Sequence, residues 1–280
     1  MKNILLPTDF SENSWNAIRY ALNFFENTTC DFYLLHVTRS NNLETGEMPY
    51  GLTPELTDTH YLKPAKKQLR QLLKQIAKQF SPRKNHRFYT LTDYNFFIDS
   101  IRKHIENKKI DMIVMGTKGA SGLKEYIVGS NTGDVIKKVP CTTLVVPENT
   151  LYAAIKEVAF PTDFSLSYNI NTLQPISEIV EETGAFLRIV HINRNGDDLN
   201  DDQQEYKGII EDFFNDYSHS FHFLNNKKVE DAIQCFVESR DINMIVMVAK
   251  NLNYFQQILF HTRVEKISYH TDIPFLVLHE

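Results

Sequence analysis

Five of the ten glycines in this chain of 280 residues crowd into one stretch, at positions 116, 119, 122, 129 and 133. Glycine lets backbone N–H groups approach an anion with no Cβ in the way. Ser130, inside the same stretch, reads as the opening of a helix whose unpaired N–H groups and positive dipole end favour negative charge. The chemistry this pattern suits is the holding of phosphate groups, and so of a nucleotide. Neither G-x-x-x-x-G-K-[ST] nor G-x-G-x-x-G occurs, which argues against a P-loop NTPase and a dinucleotide-dependent dehydrogenase. Asp9 closes the first apolar run, where a carboxylate can accept from ligand hydroxyls or start a helix together with Ser11. Lys118 could add charge beside the phosphates. His36 and His191 recur at the ends of apolar runs and read as satisfied polar groups shared by two repeats.

A repeat supplies the elements that must position these groups. Pro7-Thr8-Asp9-Phe10-Ser11 recurs as Pro161-Thr162-Asp163-Phe164-Ser165, an offset of 154. Asp111–Met115 recurs as Ile242–Met247 at an offset of 132. The first copy therefore carries about 22 additional residues, assigned to Ser40–Pro64, as a surface loop or as a lid over bound nucleotide. Within each copy short β-branched and aromatic runs alternate with helix-period segments, the pattern of parallel strands joined by crossover helices. Strands are expected near Asn3–Leu6, Phe32–His36, Phe88–Leu91, Met112–Met115 and Thr143–Val146, then Glu157–Phe160, Phe186–His191, Phe221–Leu224, Met244–Met247 and Phe275–Leu278. Expected domains span residues 1–148 and 153–280.

Composition narrows the classes. The formal charge of −5, 42% hydrophobic residues and a sequence pI of about 6.1 are those of a soluble globular protein, and the chain reads as having no basic cluster to suit nucleic acid or an anionic membrane. Cys30, Cys141 and Cys235 are far apart and lack C-x-x-C spacing, so they read as reduced packing residues. The N-terminal apolar run is too short for a signal peptide and no apolar run reaches membrane-spanning length. The expectation is a cytoplasmic protein.

Gly116-x2-Gly119-x9-Gly129-Ser130, with Ile4–Ser11, Ile113–Gly116 and Cys141–Val146, resembles the ATP-binding universal stress proteins across nearly the whole chain. The resemblance implies two tandem Rossmann-like α/β domains, each a five-stranded parallel sheet of order 3-2-1-4-5, paired through their last strands like a covalently joined dimer. It implies that Asp9 faces the ribose or a bound metal, that Val37 contacts adenine, and that Gly116, Gly119, Gly129 and Ser130 hold ribose and phosphates. Pro7, Thr8, Met115, Asn131 and Thr132 line the same cleft by implication. The ligand so implied is ATP or another adenine nucleotide, with Mg2+.

The second copy departs from this pattern. Val248, Asn251 and His261 stand where Gly116, Gly119 and Gly129 stood, so side chains occupy the space phosphates need, and nucleotide binding is not expected there. Pro175 replaces a helix-interior alanine and should kink or shorten its helix. The expected protein is a nucleotide-responsive stress regulator. No general base is fixed near the loop, so no catalytic residue is assigned. The rivals are a slow ATPase or autophosphorylating protein with Ser121, Ser130 or Thr132 as acceptor, and a scaffold that binds no nucleotide. A receiver-like role for Asp9 fits poorly, because Ser11 occupies the place of a second carboxylate. No protein partner is legible, and exposed helices leave a homodimer open.

Overall fold

The computed structural model of the chain describes residues 1–38, 61–117, 130–164, 169–194, 196, 198–249 and 273–280. In the first half β1 (Lys2–Pro7), β2 (Cys30–Thr38), β3 (His86–Tyr94), β4 (Met112–Gly116) and β5 (Thr143–Val146) alternate with α1 (Glu12–Phe24), α2 (Lys63–Gln79), α3 (Phe97–Lys108) and α4 (Ser130–Lys138). The second half contributes β6 (Glu157–Pro161), β7 (Phe186–Asn193), β8 (His219–Asn225), β9 (Met244–Val248) and β10 (Phe275–Leu278). Its helices are α5 (Gln174–Thr183), α6 (Asp201–Phe213) and α7 (Val229–Ser239).

All ten strands form one sheet of order β3-β2-β1-β4-β5-β10-β9-β6-β7-β8. Each half has the expected 3-2-1-4-5 order with parallel neighbours, and the halves meet where β10 runs antiparallel to β5, with Leu276 opposite Leu144. The joining strands are apolar but for Thr143: Leu144, Val145, Val146, Phe275, Leu276 and Val277 are all 0% exposed. Separating the halves would bare two such edges, each buried side chain being worth about 1.5–3 kcal/mol. On one face of the sheet a single apolar cluster runs through both halves, holding Ile18 and Leu22 of α1, Leu69 and Ile76 of α2, Ile176 of α5, and Tyr206 and Ile210 of α6. Lys2 Nζ meets Glu178 across the halves at 2.8 Å.

Local sequence explains the helix starts. Ser11 caps α1 by accepting from the backbone N–H of Ser14. Pro64 sits in the first turn of α2, where its missing N–H costs nothing. Pro175 takes the same kind of position in α5, after a 3-10 turn over Ile170–Leu173. The expected shortening is therefore real: α1 has 13 residues and α5 has 10, and α5 begins beside its proline rather than running through it. The segment joining the halves is tied back to α1, whose Asn16 Nδ2 donates to Pro147 O at 3.2 Å and Thr150 O at 2.9 Å.

Candidate functional site

In the first half the crossovers leave β1 in opposite directions, toward β2 on one side and β4 on the other, so the carboxyl ends of β1 and β4 flank the switch in strand order. Open parallel sheets hold ligands at such a crevice. Pro7 ends β1 opposite Leu35 of β2, and Thr8 N donates to Leu35 O at 2.8 Å. Met115 is 6% exposed and shares a core cluster with Leu5 and Leu35, against which the half-buried Val37 packs. Pro7, Val37 and Met115 therefore come together at the ends of three adjacent strands.

The turn from β1 into α1 is held by its own side chains. Asp9 Oδ1 accepts from the backbone N–H of Ser11 at 3.0 Å and from its hydroxyl at 2.6 Å. Phe10 N donates to Thr8 Oγ1 at 3.0 Å, and Phe10 has a φ of 63°, a left-handed conformation that costs a non-glycine residue energy. Ser14 Oγ donates to Ser11 O at 2.9 Å, so in its 3.0 Å contact with Thr8 the threonine hydroxyl is the donor. Asp9 is exposed while doing this work, whereas Thr8 is 7% exposed and spends its hydroxyl inside the turn. The same device recurs in the second half, where Phe164 has a φ of 53° and its N–H donates to Thr162 Oγ1 at 3.1 Å.

Gly116 ends β4 with no room for a side chain: a Cβ there would lie 2.7 Å from Cγ, Oδ1 and Nδ2 of Asn13. A side chain here would have to displace the Asn13 amide, so the glycine suits the packing of α1 on β4 apart from anything the loop after it holds. Its carbonyl accepts from Thr132 Oγ1 at 2.7 Å, which pins the first turn of α4 to the end of β4. Thr132 is 2% exposed, so its hydroxyl serves this tie, while Ser130 and Asn131 are exposed at the start of α4. Of the suggested phosphoacceptors among the described residues, only Ser130 is open to solvent. Gly119, Gly129, Lys118 and Ser121 lie outside the described residues, as do 40–60 of the insert and Asn251 and His261 of the second copy.

Val248 replaces Gly116 in the second half and is 4% exposed, packed into the shared core. Gln203 Nε2 donates to Asp163 O at 2.9 Å, bringing the start of α6 over the end of β6. His36 and His191 hold equivalent places: each ring Nδ1–H donates to a threonine carbonyl, Thr8 O at 2.8 Å and Thr162 O at 3.0 Å. Burial pushes His191 below the ordinary histidine range. No cluster of three or more His, Cys, Asp or Glu suited to a metal occurs among the described residues. A cavity of about 150 Å3 lies beside the site, lined by Thr8, Ser11 and Trp15 together with Gln68 and Gln71 of α2. Asn13, Ser14 and Phe10 were not foreseen as parts of the site. The recurrence of Phe10 with Thr-Asp before it was the one available signal.

The fold and this crevice define a doubly wound α/β protein in which two Rossmann-like sheets are fused through their last strands. Residues 1–147 match the model of the universal stress protein family, and the chain belongs to that family. Universal stress protein MJ0531 of Methanocaldococcus jannaschii is 30% identical over 147 residues, which cover 52% of this chain and 81% of that protein. Universal stress protein MJ0577 of the same organism is 28% identical over 155 residues, covering 52% and 94% respectively. Among solved structures, a universal stress protein of Archaeoglobus fulgidus aligns with a TM-score of 0.65 at 19% identity, covering 98% of this chain and 95% of its own. A Pseudomonas aeruginosa protein described as functionally unknown aligns with a TM-score of 0.57 at 12% identity, covering 99% and 92%. These likenesses show that other chains share this fold over nearly their whole length.

Proposed function

We propose that the first half binds one adenine nucleotide, ATP with Mg2+, and that the protein is a nucleotide-responsive stress regulator whose second half carries no nucleotide. The observation that carries this reading is the convergence of Pro7, Val37, Met115 and the exposed start of α4 on the crevice between β1 and β4, with the spaced glycines in the connection between β4 and α4. Adenine would lie against Val37 and Met115, the ribose would meet the exposed Asp9 carboxylate, and the phosphates would sit over Gly119, Gly129 and the N–H groups of Ser130 and Asn131. A cation would reach Asp9 through the nucleotide. Val248 in the packed core and Gln203 over the Asp163 carbonyl support a second half that does not share this activity. The proposed domains are residues 1–148 and 153–280, and the proposed compartment is the cytoplasm.

Gly129→Val tests the reading, since a branched side chain would stand where the phosphates approach. MgATP binding should be lost while the far-ultraviolet circular dichroism of the nucleotide-free protein is unchanged. Retained affinity in this variant would remove the glycine stretch from the site.

A further inference from the structure

The whole-chain charge of −5 conceals an uneven distribution. Residues 1–150 carry 20 Lys+Arg against 15 Asp+Glu, and residues 151–280 carry 10 against 20. One half is cationic and the other strongly anionic. The contrast is concentrated on α2 and α6, which precede the third strand of their respective halves.

α2 packs on β2 and β3 through Ala65, Leu69, Leu72 and Ile76. Its solvent face presents Lys67, Arg70, Lys74 and Lys78, all exposed and in no ion pair among the described residues. No acidic residue occurs between Tyr61 and Thr92. α6 buries Tyr206 and Ile210 and exposes Asp201, Asp202, Glu205, Glu211 and Asp212. Its one cation, Lys207, is engaged by Glu211 at 3.0 Å. Lys67 and Lys74 are seven residues apart, as are Glu205 and Asp212, so each pair lies on one side of its helix about 10.5 Å apart.

Both helices contribute to the same core cluster and therefore cover the same face of the sheet, near its opposite ends. Seven strand spacings separate β2 from β7, roughly 34 Å at about 4.8 Å each. That is several times the screening length of about 8 Å at physiological salt, so the two stripes cannot neutralise each other within one chain.

We propose that the occupant of both stripes is a second copy of this chain. Two copies related by a two-fold axis along the strands, helix face to helix face, would set α2 of each against α6 of the other and satisfy both stripes at once. Lipid fits less well, because the exposed positions of α2 are Lys, Arg, Gln, Pro64 and Ala77, with no large apolar group to enter a bilayer. A nucleic acid would meet the anionic half of the same face. The partner that matches a basic stripe at one end and an acidic stripe at the other is the molecule itself.

Sedimentation velocity of the full chain at about 0.01 M and about 1 M salt, where the screening length is about 30 Å and about 3 Å, tests this. The native chain should be dimeric at the lower salt and monomeric at the higher. Lys67→Glu/Arg70→Glu/Lys74→Glu and Asp201→Lys/Glu205→Lys/Asp212→Lys should each raise the dissociation constant more than about tenfold at the lower salt, with the circular dichroism of the native chain. An equimolar mixture of the two variants should recover a dimer, because each stripe again faces its opposite. A native chain that is monomeric at the lower salt, a dimer indifferent to both sets of reversals, or a mixture that stays monomeric would overturn the proposal. So would binding of a DNA duplex or phosphatidylserine vesicles by α2 in place of self-association.

Discussion

Thr132→Val removes one hydroxyl and little else, which makes it a sharp test of how the phosphate end of the site is built. Thr132 is 2% exposed and its Oγ1 donates to Gly116 O at 2.7 Å. Valine has nearly the same volume and a similar helix propensity, so the variant leaves no cavity and does not penalise α4 intrinsically. What it leaves is a buried carbonyl at the end of β4 without this donor, a loss of about 1–3 kcal/mol. Thr132→Ser is the control, since it keeps the donor and gives up one buried methyl, about 0.8 kcal/mol. Urea unfolding followed by circular dichroism should show a lower midpoint with an unchanged slope for both, and a larger loss for valine. The melting temperature should fall by about 4–8 °C for a loss of about 2 kcal/mol. MgATP affinity should fall as well, because the tie sets where α4 begins. A valine variant as stable as the native chain, or more stable than the serine variant, would refute the reasoning.

The buried thiols and the histidines give two further expectations. Burial pushes Cys30 and Cys141 up to about 12, while Cys235 is exposed; a maleimide at neutral pH should therefore label one thiol in the native protein and three after denaturation, and rapid labelling of two or more native thiols would contradict the packing. Burial also lowers His86, His104, His191, His222 and His279, so unfolding exposes rings that bind protons more readily than the folded ones. That stabilisation is complete above the unfolded histidine pKa of about 6.5 and is lost as pH falls below it. Asp93 acts in the same direction at lower pH: burial would raise it, but the hydrogen bond from Lys103 and the neighbouring His104 hold it below the ordinary carboxylate range. The urea midpoint should drop between pH 7.5 and 5.5 and again below pH 4, and a midpoint that rises on acidification would show the signs to be wrong.

The strands were legible where burial is complete on both faces. Thr143–Val146 and Phe275–Leu278 stand as expected, because short runs dominated by Leu, Val and Phe suit strands buried on both faces in the middle of the sheet. The third strand was expected as Phe88–Leu91 and runs from His86 to Tyr94, since edge position lets Arg87, Thr92 and Asp93 take strand geometry without an apolar signal. Pro175 foretold a changed helix, but its displacement onto Gln174–Thr183 depends on a 3-10 turn that no local pattern marks. Gly116 reads from sequence as making room for phosphate; the structure adds that a Cβ there would also meet the Asn13 side chain, about a hundred residues away in sequence and beyond any local pattern. The basic face of α2 overturns the expectation of no basic cluster: its cations are interleaved with Gln and Leu and gather only at helical spacing, and the whole-chain charge averages them against the acidic second half.

The central claim is that one half of this duplicated chain binds nucleotide and the other does not. Calorimetric titration of the nucleotide-stripped protein with MgATP reads that directly. One site per chain is the predicted result. Two sites would mean that Val248 and its neighbours still admit phosphate, and no detectable heat or binding by an independent dialysis measurement would contradict the account.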